Sequence, residues 1–403
     1  MKDFLKLYAL LAALFGMFAA SGLDTVHANE AAESEFVKKT RPYLWFPEGS
    51  PNSEHGSDID EMIIYVHVLM LVLFVGWSVY FIYALYRFRK SKNPTADYHG
   101  FRSKIPTTIA EGGVILAEVV LIIAFAIPLW AKVVDADKFP QEGVTTEATL
   151  KANGAPHEIE PKEDGLYMLH LDSASTASVA VSDEENNLVA NLDNTELLEK
   201  LSTQDTLKEE RRKISKMIAL KAGKKYSIKA TGNGANASVS KMPTIVVRVI
   251  AEQFKWNGLY SGFDGIYGRQ EMKLATVENP LGRVPDTAEG LDDFVVEKVV
   301  VPEGVSVITH ISSKDVIHCF KVIPIRVCQD AIPGLQIPVH FKARREMKTW
   351  ITCAQLCGDG HAAMRGDFEV LTQKDFADWW NQNSGWWLKD APVSEEVATA
   401  AQD

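Results

Sequence analysis

The stretch FVVEKVVVPEGVSVITHISSKDVIHCFKV, residues 294–322, carries the clearest β pattern of the chain. It consists of short runs of β-branched and aromatic residues, and the turn Pro302-Glu303-Gly304 separates the first run from the second. Runs of this length, punctuated by proline and glycine, are typical of strands in an all-β sandwich or barrel. The runs are 294–300, 305–311 and 316–322.

Runs of the same composition continue on both sides of this stretch, at 245–250, 348–352 and 368–371. Proline and glycine again mark the turns between them. We therefore predict an all-β Greek-key sandwich over residues 244–380, a scaffold that holds the loops at its ends rigidly. Residues 381–403 are expected to form a C-terminal tail.

Two apolar stretches precede this β-rich region. Residues 62–85 contain no charged side chain, and residues 112–130 contain only Glu118, so each stretch can cross a membrane. The segment between them, 86–107, is strongly basic, which places it in the cytoplasm by the positive-inside rule. The sequence therefore predicts a transmembrane hairpin at 61–131, with both ends of the chain outside.

The N-terminus has the pattern of an export signal. Two lysines precede a mainly apolar run, and Val26-His27-Ala28 resembles a signal-peptidase site. We predict a signal peptide at 1–28, followed by an exported segment at 29–60. The alternative is an uncleaved anchor helix, for which the apolar run is short.

Residues 139–242 are polar and low in aromatic residues, and they show no catalytic or metal-ligand spacing. Two helices are expected here, a short one capped by Asn194 and a longer one from Asp205 to Lys221 with apolar residues at helical spacing. We predict a mixed polar insertion that presents a solvated or partner-facing surface.

Length and charge limit the function. A chain of 403 residues is too long for one ordinary domain. Its formal net charge of -11 argues against a nucleic-acid partner, because phosphate binding needs clustered lysine and arginine. An acidic surface favours a basic protein partner instead, chiefly by raising the rate of association.

The segment CAQLCGDGHAAM, residues 353–364, carries the chemistry. Thiolate and thioether sulfurs are soft ligands that favour copper, and a methionine in the set argues against a structural zinc site. His318 is the expected second imidazole ligand. A mononuclear copper centre of this type uses one cysteine, so the second cysteine suggests a second metal ion. An ordinary disulfide between Cys353 and Cys357 is the alternative, but it leaves His361 and Met364 unexplained.

This segment, together with the two spans, resembles cytochrome c oxidase subunit II, a family with two transmembrane helices and an exported cupredoxin-like domain. The resemblance implies a dinuclear copper centre, CuA, that accepts electrons from cytochrome c. The electrons pass to the haem of subunit I, where O2 reduction to water is coupled to proton translocation. The implied copper ligands are Cys353 and Cys357 as bridges, His318, His361, Met364 and the backbone carbonyl of Gln355.

Further roles follow from the same resemblance. Phe254 and Trp256 lie where electrons arrive, although Phe254 replaces a tryptophan of the family. Asp315 and Asp330 match acidic positions near the face where the donor binds. Glu111 matches the glutamate at the mouth of a proton channel in the large subunit.

Besides Phe254, two positions depart from the family pattern. Gln355 stands where the family more often has a glutamate that helps bind Mg²⁺ at the contact with subunit I, and the amide weakens that expectation. Cys319 stands where the family commonly has serine, and strand alternation directs it away from the copper ligands. For Cys319 and Cys328, buried thiols and a disulfide both remain open.

The implied partners are subunit I, other oxidase subunits, and cytochrome c or a membrane-bound c-type cytochrome. The implied location is the bacterial inner membrane, with the copper domain in the periplasm. Quinol oxidase subunits have lost the copper ligands, and nitrous oxide reductase adds a propeller for which this chain has no room. The remaining alternative is a membrane-anchored copper carrier, which needs exposed and exchangeable copper.

Overall fold

A computed structural model describes residues 50–95, 103–135, 137, 139–195, 198, 213–263, 265–284, 290 and 292–384. The predicted signal peptide at 1–28 and the last residues of the predicted tail, 385–403, lie outside this range. The chain divides after Lys138 into two compact units, which are described separately.

Two long apolar helices form the first unit. α1 (Glu54–Arg87) begins at Ser53, whose hydroxyl accepts a hydrogen bond from the Gly56 N–H at 3.1 Å. The second helix is continuous through α2 (Ile105–Leu121), a π-helical segment (Ile122–Ala126) and α3 (Ile127–Val134). Both helices are long and apolar enough to cross a membrane, which confirms this part of the predicted fold class.

The two helices contact each other near the start of α1. Tyr65 packs edge-on against Phe125 with ring centroids 5.4 Å apart, and Leu121 is buried beside them. Lys132 forms an ion pair with Asp58 at 2.9 Å. These contacts bring the end of the second span to the start of the first, as expected for a helical hairpin.

Residues 145–242 form a β-sandwich of two four-stranded sheets, called the insertion sandwich here. The first sheet has the order β1 (Thr145–Lys151), β8 (Asn236–Met242), β3 (Gly165–Asp172) and β6 (Lys213–Leu220). The second has the order β2 (His157–Ile159), β7 (Tyr226–Gly232), β4 (Ala177–Ser182) and β5 (Leu188–Asp193). Their facing apolar side chains make a separate core, which includes Leu169, Val179, Ile228 and Val239.

The helix predicted from Asp205 to Lys221 is wrong for residues 213–220, which form strand β6, while residues 205–212 lie outside the described part. β6 pairs with β3 over eight residues. Its Ile214 and Ile218 enter the core of the insertion sandwich, and Met217 enters a second core on the opposite face. Because both faces are buried, the alternation that marks a strand is blurred and imitates helical spacing.

Asn194 immediately precedes the helical residues Thr195 and Leu198, at the position predicted for a cap, and its carbonyl accepts the Leu198 N–H at 3.0 Å. Its side-chain oxygen accepts a hydrogen bond from the Ala177 N–H at 2.8 Å, and its amide donates to the carbonyls of Ser173 and Ser175. The fully buried side chain therefore links β4 to the turn before it. The carboxylate of Asp193 accepts the Thr195 N–H instead, at 2.7 Å.

Residues 244–371 form the predicted sandwich, called the copper sandwich here, from two five-stranded sheets. One has the order β11 (Phe294–Val296), β10 (Lys255–Tyr260), β9 (Thr244–Glu252), β13 (Ser306–Ser313) and β16 (Ile337–Lys342). The other has the order β12 (Val299–Pro302), β18 (Arg365–Leu371), β17 (Met347–Cys353), β14 (His318–Val322) and β15 (Val327–Ala331).

The connections between these strands confirm the all-β sandwich. β9 pairs in parallel with β13, and β12 pairs in parallel with β18, so chain neighbours are not always sheet neighbours. The single run predicted at 294–300 splits between the sheets, because Val296 ends β11 and Val299 begins β12. A final helix, α4 (Gln373–Ser384), follows β18 and includes the first residues of the predicted tail.

The two sandwiches share a buried boundary. Leu166, Met168 and Met242 of the insertion sandwich belong to the same apolar cluster as the core of the copper sandwich. On α4, the amide of Asn381 donates to the Met217 carbonyl and its oxygen accepts the Met217 N–H, both at 2.8 Å. The insertion is thus packed into the rest of the second unit, and one of its sheet faces is not solvated.

Candidate metal centre

The site lies at one end of the copper sandwich, where two neighbouring strands and one loop meet. His318 begins β14, and Cys353 ends β17, which pairs with β14 through Phe320. The chain then turns through residues 354–360 into a short 3₁₀ turn, His361–Ala363, before β18. The fold therefore brings His318, distant in sequence, beside the end of β17.

The two thiols lie at the centre of the donor set. The Cys353 and Cys357 Sγ atoms are 3.8 Å apart. On one side, Cys353 Sγ is 3.9 Å from His318 Nδ1 and donates to the Gln355 carbonyl at 3.1 Å. On the other side, Cys357 Sγ is 3.5 Å from His361 Nδ1 and 3.7 Å from Met364 Sδ. Each of the other predicted ligand atoms thus lies against one of the two sulfurs.

These separations fit metal ligation. Two donors bound at about 2.0–2.3 Å to one tetrahedral ion lie about 3.5 Å apart for nitrogen and sulfur, and about 3.8 Å apart for two sulfurs. The ligand atoms of His318, Cys353 and Cys357 all lie within 4.8 Å of one another. Two thiols, two imidazoles and one thioether are also a soft set of the kind that selects copper.

Most of the donors are shielded from water. His318 is fully buried, and Met364 and Cys357 are only 1% and 5% exposed. The loop between the cysteines covers them, with Leu356 projecting outward at 78% exposure. Burial, followed by the contact with Cys353, raises the pKa of the Cys357 thiol to about 11. A bound cation reverses this effect, because it favours the thiolate.

Asp315 fixes the ring of His318. His318 Nε2 lies 2.8 Å from the Asp315 carboxylate, which can only accept, so this nitrogen carries the proton and Nδ1 presents its lone pair to the sulfurs. The backbone N–H groups of Gln253 and Val316 also donate to Asp315. Burial alone would raise the pKa of Asp315, but these hydrogen bonds outweigh it and lower the pKa.

The turn after β9, residues 253–254, holds the loop that follows Cys353 in place. The Gln253 amide donates to the Cys357 carbonyl at 2.6 Å. A Cβ on Gly360 would lie 2.4 Å from the Phe254 ring, and Gly358 has φ +134° with Gln253 2.8 Å from the place of its missing Cβ. Glycine is therefore required at both positions for the loop to lie this close.

The two aromatic residues predicted for electron arrival occupy different environments. Phe254 is 37% exposed, and its ring covers Gly360 beside His361. Trp256 is 1% exposed and packs edge-on against His318, with ring centroids 6.2 Å apart. Only Phe254 of the two is at the surface, whereas Trp256 is part of the wall around His318.

The remaining predicted residues are not part of the donor set. Asp330 is exposed on β15, and Glu111 is exposed on α2, in the first unit. Cys319 projects to the face opposite the donors, as the alternation of β14 predicts, and its Sγ is 3.5 Å from Cys328 Sγ. His170 contacts Ser215, and His310 contacts Glu142, so these rings have local partners away from the metal site.

Sequence reasoning missed two residues. Gln253 is hydrogen-bonded to the loop at residues 354–360, called the copper loop here. No sequence pattern marked this residue, because its partner is a backbone carbonyl far along the chain. Asp315 was singled out only for donor binding, although its spacing of three residues before His318 could have indicated a hydrogen bond to that ring.

A further aromatic residue, Trp350 on β17, is at the surface with 57% of its side chain exposed. The Arg365 guanidinium lies over its ring.

The β-sandwich that carries the donors resembles known protein domains. The family described as cytochrome C oxidase subunit II, periplasmic domain, matches residues 245–369. The alternative cytochrome c oxidase subunit 2 of Bradyrhizobium diazoefficiens is 31% identical over 138 residues, which are 34% of this chain and 50% of that protein. The cytochrome c oxidase subunit 2 of Thermostichus vulcanus is 33% identical over 163 residues, 40% of each chain.

Among solved structures, the periplasmic domain of subunit II of cytochrome oxidase from Bradyrhizobium japonicum is 25% identical. That match covers 36% of this chain and 95% of the solved one, with a TM-score of 0.27. The matched regions span half or less of the two curated relatives. The copper sandwich is therefore a domain of the cytochrome c oxidase subunit II type, and the chain that carries it is subunit II-like.

Proposed function

We propose that this protein is subunit II of a haem-copper cytochrome c oxidase and that its copper sandwich holds a dinuclear CuA centre. The observation that carries the proposal is the convergence of four donor groups on the adjacent sulfurs of Cys353 and Cys357, which makes six donors in all. The residues that would hold the copper are His318, Cys353, Gln355 through its carbonyl, Cys357, His361 and Met364.

The chain supplies a rigid, water-poor setting for this centre. When bound, a dinuclear copper centre would supply one-electron transfer. Asp315 sets the orientation of the His318 ring, and Gln253 fixes the Cys357 carbonyl. Both supports come from turns outside the loop that carries the cysteines, since Gln253 lies between β9 and β10 and Asp315 lies between β13 and β14. The donors are therefore held in place before any metal arrives.

Electrons would arrive through the aromatic residues beside the donors. Phe254 reaches the surface above the copper loop, and Trp256 contacts His318 from inside. Asp330 is exposed and available to a basic donor, while Asp315 already serves His318. We expect cytochrome c, or a membrane-bound c-type cytochrome, as the donor, and we expect its oxidation to slow as salt rises.

The membrane part completes the assignment. The two apolar helices would anchor the chain in a bacterial inner membrane with the copper sandwich in the periplasm. Electrons would pass to a haem of subunit I, where O2 is reduced to water and protons are translocated. Glu111, exposed on α2, would stand at the mouth of a proton channel in that subunit. A Mg²⁺ ion at the same contact is disfavoured by the neutral side chain of Gln355.

A copper carrier is the competing function. A carrier needs donors that a partner protein can reach, because copper must pass from one set of thiols to another. Here His318 and Met364 are buried, and only Cys353 and His361 among the side-chain donors are partly exposed. The burial of the donors therefore favours a resident electron-transfer centre.

Copper quantitation with EPR on the purified full chain tests the proposal. We expect two copper ions per chain and, in the mixed-valence state, hyperfine splitting from both of them. A single ion, or a colourless and EPR-silent Cu(I) protein that passes copper to a chelator within minutes, would support the carrier instead. Cys328→Ser serves as the matched control, because this cysteine lies outside the donor set.

A further inference from the structure

Cys319 and Cys328 form a second sulfur pair, on the opposite face of the sheet from the copper donors. Their Sγ atoms are 3.5 Å apart. Cys319 pairs across the ladder with Asp330, and Cys328 pairs with Lys321, so the two cysteines are diagonal neighbours on antiparallel strands β14 and β15. Phe320, which faces Cys353, lies on the other side of β14.

The sheet therefore separates this pair from the copper thiols. The Cys319 and Cys328 sulfurs contact each other, whereas the metal-binding group of the described residues contains only His318, Cys353 and Cys357. The pair also has the accessibility pattern of an exchange reaction. Cys328 is exposed and can meet an external disulfide, whereas Cys319 is 6% exposed and lies against the Cys328 sulfur.

We propose that Cys319 and Cys328 form a disulfide in the exported protein and so join β14 to β15. The proposal rests on the periplasmic location of the copper sandwich, because disulfides persist in oxidising compartments. A short turn already brings the two strands together, and the sulfurs need to approach from 3.5 Å to about 2.05 Å. The two sulfurs are already in contact, and the exposed side chain of Cys328 is the accessible partner of the pair.

The chemistry is a two-step exchange with an exported protein disulfide. The Cys328 thiolate attacks one sulfur of that disulfide, forms a mixed disulfide and releases one partner thiol. Cys319 then attacks the Cys328 sulfur, which closes the internal disulfide and releases the second partner thiol. The two cysteines lose two protons and two electrons, and the partner disulfide gains both to become a dithiol.

Closing this bond would restrain the strand that carries His318. Cys319 is the next residue along β14, and its carbonyl accepts the Ala354 N–H of the copper loop at 3.1 Å. A covalent link to β15 would therefore limit the movement of a residue that adjoins His318 and is hydrogen-bonded to the loop that carries the other donors. Because Cys353 and Cys357 lie on the opposite face of the sheet, the exchange at Cys319 and Cys328 proceeds without contact with them.

Thiol trapping in whole cells tests the proposal. Cells that express the full chain are quenched in acid, free thiols are blocked with iodoacetamide, and the protein is digested with trypsin without reduction. Cleavage after Lys321 and Arg326 places the two cysteines on different peptides. We expect one cross-linked species, peptide 315–321 joined to peptide 327–342, and its loss in Cys328→Ser. Iodoacetamide-labelled Cys319 and Cys328 in most of the trapped protein would overturn the disulfide.

A second measurement separates this proposal from the topology on which it rests. In intact spheroplasts treated with a reductant, a membrane-impermeant maleimide should label Cys328 from outside. External labelling together with open thiols in the acid-trapped sample would overturn the disulfide alone. Absence of external labelling in protein that binds copper and is folded would overturn the periplasmic location and the disulfide with it.

Discussion

The two sandwiches of the second unit have the same architecture but differ in what they bury. The insertion sandwich encloses an apolar core, and its His170 ring contacts the Ser215 hydroxyl at 2.7 Å. The copper sandwich buries His318 completely, yet surrounds it with Asp315, two thiols and Trp256. A β-sandwich thus gives rigidity to any loop, but only convergent donors and their supports make a metal site.

The pKa of His170 illustrates the difference. Burial lowers the pKa of this ring, and Lys213 lowers it further, so the neutral form is favoured. No carboxylate of the described residues bonds to His170, whereas Asp315 bonds to His318. Burial alone therefore makes a structural histidine. The carboxylate behind the ring is what directs the other nitrogen toward a metal.

Replacing a bridging thiol should have the largest effect on this contrast. In Cys357→Ser, we expect copper to fall from two ions per chain to background, because a hydroxyl is a poor ligand for copper. Cytochrome c oxidation by the assembled oxidase should fall with it. Metal analysis and EPR on Cys357→Ser and the Cys328→Ser control check this. Retention of two copper ions in Cys357→Ser would show that the site is not thiolate-bridged.

Removing the carboxylate behind His318 should have the next largest effect. We expect Asp315→Ala to weaken copper binding by about 10–100-fold, the usual cost of losing a group that orients a metal-bound histidine. Asp315→Asn should lose less, because its amide oxygen can still accept from Nε2. Competition with a copper chelator measures the affinity. If Asp330→Asn, the exposed control, weakens copper binding as much, the positioning role is refuted.

The close approach of Phe254 to the copper loop gives a steric prediction. In Gly360→Ala, the new Cβ would meet the Phe254 ring at 2.4 Å, which should destabilise the domain by about 1–3 kcal/mol. Thermal unfolding of the copper-loaded chain measures the loss. Adding Phe254→Ala should recover part of the stability, because it removes the clash. Additive losses in the double variant would place the strain elsewhere.

The boundary between the sandwiches should give the smallest effect on copper. Asn381→Ala removes two hydrogen bonds to the Met217 backbone, and each buried group left unsatisfied costs about 1–3 kcal/mol. We expect a lower Tm with copper stoichiometry unchanged. Gln382→Ala, an exposed position on the same helix, is the control. Loss of copper in Asn381→Ala would mean that the insertion sandwich supports the metal site directly.

Local patterns were enough to predict the copper sandwich. β-branched runs mark β9, β13, β14 and β17. The spacing of cysteine, histidine and methionine in 353–364 predicts donors that lie close together in the structure. The insertion sandwich could not be predicted in this way, because β6 buries both faces and its apolar spacing imitates a helix. Gln253 was also hidden, since its contact joins residues more than a hundred positions apart.

Strand β6 is buried on both faces, and this limits how the insertion sandwich can be removed or exchanged by engineering. Excising residues 145–240 would leave α4 and the neighbouring sheet with an uncovered apolar surface where Leu166, Met168 and Met217 now pack. The two sandwiches therefore cannot be exchanged as separate units unless this contact is repacked. Variants at single boundary positions, rather than deletions, are therefore the means to learn what the added sandwich contributes.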